Sequence, residues 1–195
     1  MNLLIATTNP SKIEEIRAIL AGLPIELQTL ASYPGISEPE ETGTAFADNA
    51  RLKALHYAAA THELTVAEDS GLEIDGLDGA PGVHSARFNG ATYAEKFQRI
   101  YDQLRQRGVA ASSARFVCAL ALADRGRIIY ETRRTVEGAL AASPRGRGGF
   151  GYDPIFLYPP YGRTLAEVSP DEKAAVSHRG QAFRALREFL GEWER

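Results

Sequence analysis

The sequence predicts an α/β fold built on a mixed rather than purely parallel β-sheet. Three features carry this reading. Strand and helix patterns alternate over residues 2–68, two long strands follow one another within 114–140 with only a tight turn between, and an amphipathic helix lies at 175–190. Alternation builds parallel βαβ units, whereas two strands joined by a short turn must run antiparallel.

The elements follow in order. "NLLIAT" (2–7) is a short apolar strand. Asn9 suits an N-cap with Pro10 at the first helical position, and Ile13, Ile16, Ile19 and Leu20 give that helix its apolar face up to Gly22. "IELQTL" (25–30) reads as a second strand, followed by the proline-rich acidic loop 31–43. A helix capped by Thr44 is expected from about 44 to 61, then a strand over about 64–68. Residues 69–91 are glycine-rich and read as loop with room for a short helix. Over 92–108, Thr92 and Glu95 form a capping box, Phe97, Ile100, Tyr101 and Leu104 share a face, and Gly108 suits the end. "ARFVCALALAD" and "RIIYETRRTVEGAL" then form a hairpin turning at 124–126.

Composition narrows the function. The chain has 195 residues, 44% hydrophobic and 24% charged, the balance of a single globular domain (1–195) with a core of useful size. A net charge of −3 gives no broad basic field, so nucleic acid is not an expected partner. The single Cys118 excludes an internal disulfide and a cysteine-rich zinc site, and its apolar setting marks it as a small buried hydrophobe. No run reaches the roughly 18 apolar residues of a membrane span, and the N-terminus lacks the pattern of a signal peptide, so no membrane association and a cytoplasmic location are expected.

Three segments can carry chemistry. "TTNPSK" (7–12) leads from a strand into a helix N-terminus, where free N–H groups and the dipole favour an anion. Thr7, Thr8 and Asn9 add short donors and Lys12 a positive charge. The spacing is not that of a Walker loop, and the same pattern serves an ordinary capped turn. "AEDSGLEIDGL" places Glu68 and Asp69 at a strand tip, where adjacent side chains point to opposite faces. One carboxylate can face a ligand such as Mg²⁺ while the other packs or holds a supporting group, with Glu38, Glu40 or Glu41 as a second acid. A solvated acidic turn is the plainer alternative. The third is "GGFGYDPIF" (148–156), with "EKAAVSHRG" after it. It is a poor sheet segment. Its glycines let backbone approach a flat ligand, Phe150 or Tyr152 offers a ring face, and Lys173, His178 and Arg179 can meet oxygens. Together an anion cradle, an acid pair, cations and a ring platform describe a nucleoside triphosphate site.

On these residues the chain resembles the inosine/xanthosine triphosphate pyrophosphatases, the HAM1-like family. "ATTNPSKIEEI", "EETGTAFADNARLKA", "AEDSGLEIDGLDGAPGVHSARF", "GGFGYDPIF" and "EKAAVSHRGQA" are similar to its blocks, in the same order and over nearly the whole length. The resemblance implies an elongated mixed sheet flanked by helices, two lobes with an active cleft between them, and a homodimer. It implies Mg²⁺-dependent hydrolysis of ITP, dITP, XTP and dXTP to monophosphate and pyrophosphate, cleansing the nucleotide pool. Thr7, Thr8, Asn9, Pro10, Ser11 and Lys12 would then bind substrate, with Lys12 on phosphate. Asp69 would be proton acceptor and metal ligand, and Glu40 a further metal ligand, with Glu41 the alternative one position on. Lys53 and Ser70 would contact the nucleotide. Phe150, Gly151, Tyr152 and Asp153 would form the platform, and Lys173, His178 and Arg179 would complete phosphate and base recognition. Ala174 departs from the asparagine common there.

Overall fold

In the computed structural model, which describes residues 2–193, seven strands lie in the order β2-β1-β3-β4-β5-β6-β7. They are β1 (Asn2–Ile5), β2 (Glu26–Thr29), β3 (Leu64–Ile74), β4 (Ser113–Asp124), β5 (Arg127–Leu140), β6 (Phe156–Tyr158) and β7 (Arg163–Thr164). The helices are α1 (Pro10–Leu20), α2 (Phe46–Thr61), α3 (Tyr93–Gln106), α4 (Pro170–Val176) and α5 (His178–Glu192). Strand β1 pairs in parallel with β2 and β3, while β6 pairs antiparallel with β5 and β7, so the sheet is mixed.

The chain divides into two compact units. The first holds Met1–Asp69, Cys118–Arg134 and His178–Arg195; the second holds Ser70–Val117 and Thr135–Ser177. The core of the first joins Leu3 and Ile5 of β1, Ile16 and Leu20 of α1, Leu64 and Val66 of β3, Leu120 and Leu122 of β4, and Phe183 and Leu186 of α5. Arg187 of α5 donates to the carbonyls of Ile19 and Ala21 at 2.9 and 2.6 Å, satisfying the C-terminal end of α1. The core of the second unit gathers Leu72, Ile74, Phe97, Ile100, Phe116, Ile155 and Phe156.

Several local expectations hold for the stated reasons. The side chain of Asn9 caps α1, and Thr92 and Glu95 close a capping box on α3. The β4–β5 turn puts Arg125 at φ +47° and Gly126 at φ +77°, the paired left-handed geometry of a tight hairpin. Four boundaries differ. Strand β1 stops at Ile5 rather than residue 7. Helix α2 begins one residue later than expected, with Ala45 and not Thr44 at its N-cap, because the Asn49 carboxamide takes the Gly43 N–H at 2.8 Å. Strand β3 runs on to Ile74, so the first part of 69–91 is strand; the Ser85 hydroxyl bonds the Leu72 N–H at 2.9 Å, and Leu72 and Ile74 are fully buried. The last helix is two helices, α4 and α5, broken at Ser177, whose ψ of 148° is extended and whose N–H closes α4 on the Lys173 carbonyl at 2.8 Å.

Candidate functional site

The first unit assembles its chemistry around the strand tip Glu68–Asp69. Alternation along β3 sends the two carboxylates to different partners. Asp69 meets α2. Asn49 Nδ2 donates to Asp69 Oδ2 at 3.1 Å, and Lys53 Nζ lies 3.2 Å from Asp69 Oδ1. Asn49 and Lys53 are four residues apart on the buried stripe that also carries Phe46, Ala50, Ala54 and Tyr57. Two polar side chains on an otherwise apolar helix face were the sequence signal for Asn49, which the motif reading missed.

Lys53 Nζ also binds Glu41 Oε1 at 2.6 Å. Of the two acids left open, Glu41 is thus the one tied through Lys53 to Asp69, while Glu40 is exposed. Burial raises the Asp69 carboxyl above its ordinary value, and this outweighs the pull of Lys53 and Asn49. Burial pulls the Lys53 ammonium down, but Asp69, Glu41 and Glu68 more than restore it, so it is raised and stays charged. Among the described residues no group of three or more His, Cys, Asp and Glu could hold a metal ion. Asp69 and Glu41, each with an oxygen on the Lys53 ammonium, offer carboxylate oxygens, the donor type magnesium takes once or twice from protein before phosphate oxygens and water complete its shell.

Glu68 points to the other partners. Its Oε1 lies 2.6 Å from Lys12 Nζ and 3.4 Å from Arg179 Nη2, and Cys118 Sγ contacts Oε2 at 3.4 Å. Arg179 Nη1 also binds Glu15 Oε2 at 2.8 Å. Burial would raise the Glu68 carboxyl, but Lys12 and Arg179 dominate and hold it well below the usual carboxylate range. Cys118 is fully buried, and burial raises its thiol well above the ordinary value. Arg179, 2% exposed at the start of α5, is not a surface charge, and His178 beside it is buried too.

At the start of α1 the expectation of free N–H groups needs correction. Asn9 Oδ1 already accepts from Ser11 N at 3.0 Å and Lys12 N at 3.3 Å, and Thr7 Oγ1 accepts from Asn9 N at 3.2 Å. An anion here would rely on the Lys12 charge and on hydroxyl and amide side chains of Thr7, Thr8, Asn9 and Ser11. Pro10 contributes a preset backbone and no donor. A cavity of about 350 Å³ opens beside Thr7 and Thr8, walled also by Tyr33, Glu38 and Tyr57.

In the second unit the glycine-rich loop is built around Asp153. Its Oδ2 accepts from Phe150 N at 2.8 Å and from Lys173 Nζ at 2.7 Å, and the residue is 3% exposed. Asp153 is an anchor. Lys173 Nζ sits 4.3 Å from the centre of the Phe150 ring, a cation–π contact on one of its faces. Tyr152 is not part of a platform. It is 4% exposed, its hydroxyl donates to the Ser85 carbonyl at 2.7 Å, and its ring meets Tyr93 edge-on at 5.4 Å; burial raises its phenol. The Phe150 ring is half-buried, and Gly151 at φ +66° turns the chain beside it. Ser70, the residue after Asp69, is half-buried on β3.

Gly149 is required here on two counts. Its φ is +66°, and a Cβ would collide with Asp153 Oδ2. Gly149→Ala is therefore expected to displace the Asp153 anchor and destabilise the protein by about 1–3 kcal/mol, the cost of a strained backbone position. Chemical denaturation checks this, and an unchanged midpoint would show that the loop is not clamped on Asp153.

Comparison with known proteins finds relatives over nearly the whole chain. A sequence model of the Ham1 family matches residues 3–189. A protein of Exiguobacterium sp. named dITP/XTP pyrophosphatase is 47% identical over 186 residues, covering 95% of each chain. One of the same name from Gloeobacter violaceus is 48% identical over 184 residues, covering 94% of this chain and 91% of that one. Among solved structures, a HAM1 protein from Coxiella burnetii superposes with a TM-score of 0.91 at 40% identity, covering 99% of this chain and 100% of the other. The Staphylococcus aureus Ham1 protein does so with a TM-score of 0.87 at 32% identity, covering 98% of each. With the family model spanning nearly the whole chain and relatives this similar over more than nine tenths of their lengths, the chain belongs to the Ham1 family.

Proposed function

We propose that this protein hydrolyses inosine and xanthosine triphosphates, ribo and deoxy, to the monophosphate and pyrophosphate. The observation that carries the reading is the buried Asp69 carboxylate, held by Asn49 and Lys53, with Glu41 on the same lysine. The relatives named dITP/XTP pyrophosphatase support the substrate class.

Asp69 takes a proton from the attacking water; its raised affinity for protons suits a general base better than an ordinary surface aspartate. Asn49 on one oxygen and Lys53 on the other fix the orientation of the Asp69 carboxylate. Lys53 and Lys12 place positive charge where oxygens of the triphosphate gain charge as the bond to the leaving pyrophosphate breaks. Asp69 and Glu41 are the residues that would hold Mg²⁺, which when bound neutralises phosphate charge and orients the leaving group. Phe150 supplies a ring face for the base, and Arg179 and His178 supply donors for oxygens. A cytoplasmic, homodimeric enzyme that clears deaminated purine nucleotides from the pool is the corresponding cellular reading; no helix among the described residues is long and apolar enough to cross a membrane.

The test is a substrate panel of ITP, XTP, GTP, ATP and dTTP with Mg²⁺. Turnover is expected to be fastest for ITP and XTP, well below for GTP and lowest for ATP. Preference for dTTP, or binding of ITP without turnover, would refute the reading.

A further inference from the structure

We infer that Glu68 is a positioning residue that holds Lys12 in place for the phosphate chain of the substrate, an inference that rests on the function proposed above. The geometry is a relay of four residues joined by three contacts. Glu15 on α1 binds one arm of the Arg179 fork at 2.8 Å, and the other arm lies 3.4 Å from Glu68 Oε1. The same oxygen binds Lys12 Nζ at 2.6 Å. Glu68 is 4% exposed and Arg179 2% exposed, so this part of the relay is fixed inside the protein. The Lys12 side chain is 19% exposed, so its ammonium lies where the fixed interior meets solvent.

A lysine ammonium has three donors and sits on four rotatable bonds. One donor on Glu68 fixes the end of that stem and leaves two donors for phosphate oxygens. Without the anchor, binding must itself freeze a long side chain, which costs about tenfold or somewhat more in affinity. A second effect opposes this one, since the Glu68 charge repels the bound anion. The two are separable because positioning acts only through Lys12, whereas repulsion acts whether or not Lys12 is present. Glu68 also differs in kind from its neighbour Asp69. Both of its oxygens are already engaged, by Lys12 and Arg179 on one side and by the Cys118 thiol on the other. It therefore works through Lys12 and not on the reacting atoms.

The experiment is a double-mutant cycle read by calorimetric binding of inorganic pyrophosphate with Mg²⁺, which carries no base and is not consumed. The four proteins are the parent, Glu68→Gln, Lys12→Met and the double variant. Removing both members also removes a buried pair together, so the double variant leaves no lone charge between them. Glu68→Gln is expected to weaken pyrophosphate about tenfold when Lys12 is present, and to leave affinity unchanged or slightly tighter in the Lys12→Met background. KM for ITP should rise by a similar factor with a smaller change in kcat, and Glu68→Asp should recover part of the affinity. Equal weakening in both backgrounds, or parental or tighter binding by Glu68→Gln with Lys12 present, overturns the inference. Should Glu68→Gln fail to fold, Glu68→Asp, which keeps the charge but shortens the reach, runs the same cycle. Release of pyrophosphate from ITP by the parent is the control: its absence defeats the functional reading, while its presence with an additive cycle defeats only the role of Glu68.

Discussion

Asp69→Asn is expected to lower turnover of ITP by at least about 10²-fold, the scale of a lost general base, while the protein stays folded. The substitution keeps the shape and removes the charge. Its effect on stability follows from the direction of the pKa shift. The Asp69 carboxyl is raised by burial, so the folded state holds its proton more tightly than the unfolded state does. That group therefore costs stability as pH rises through its ordinary value, and replacing it by a neutral amide should leave the thermal midpoint at pH 7 equal or higher. A variant with parental turnover would remove Asp69 from the mechanism. A variant with a much lower midpoint would mean that the carboxylate is structural, held chiefly for Lys53.

Substitution of Arg179 is expected to have the next largest effect, and to act in two ways. Its guanidinium joins Glu15 to Glu68, so Arg179→Ala leaves the buried Glu68 carboxylate and the part-exposed Glu15 carboxylate each short of a partner. Breaking such a buried pair costs about 3–5 kcal/mol, enough to show clearly in a denaturation curve. The same change should lower kcat/KM for ITP by about 10- to 100-fold, the value of a lost charged hydrogen bond. Arg179→Lys separates the two effects, because it keeps the charge but not the two-armed fork. It should recover much of the stability and little of the activity. Neither variant should acquire comparable ATP activity. Hypoxanthine and xanthine present an oxygen at C6, whereas adenine presents an amino group that leaves a protein donor unpaired, at about 1–3 kcal/mol. If both variants cleave ITP as the parent does, recognition lies elsewhere and Arg179 serves the fold alone.

What the sequence disclosed, and what it hid, divides along the range of the interactions. Asn9, Pro10 and the Thr92–Glu95 box were legible because caps are written in a few consecutive residues, and the β4–β5 hairpin because a two-residue turn between two strand-like runs has few other outcomes. The extension of β3 past Asp69 was not. It depends on Ser85, thirteen residues away, bonding the Leu72 amide, and glycines at 71 and 76 suggested a loop. The break between α4 and α5 was hidden because the helical pattern runs through Ser177 without a proline or glycine. In the site, the opposed directions of Glu68 and Asp69 follow from strand alternation alone, but the partners at α1, α2 and α5 lie far along the chain. Tyr152 illustrates the limit most plainly. An aromatic in a glycine-rich loop suits a ligand platform, and only the position of Ser85, Tyr93 and Phe97 turns it into a core residue.

The central claim is that water activated at Asp69 attacks the α-phosphorus of the nucleotide. The most direct measurement is hydrolysis of ITP with Mg²⁺ in ¹⁸O-labelled water, without added inorganic pyrophosphatase, with both products identified by mass spectrometry. The account predicts inosine monophosphate carrying one ¹⁸O and unlabelled pyrophosphate. Label in the pyrophosphate would place the attack at the β-phosphorus, and labelled orthophosphate with inosine diphosphate would place it at the γ-phosphorus; either result contradicts the account.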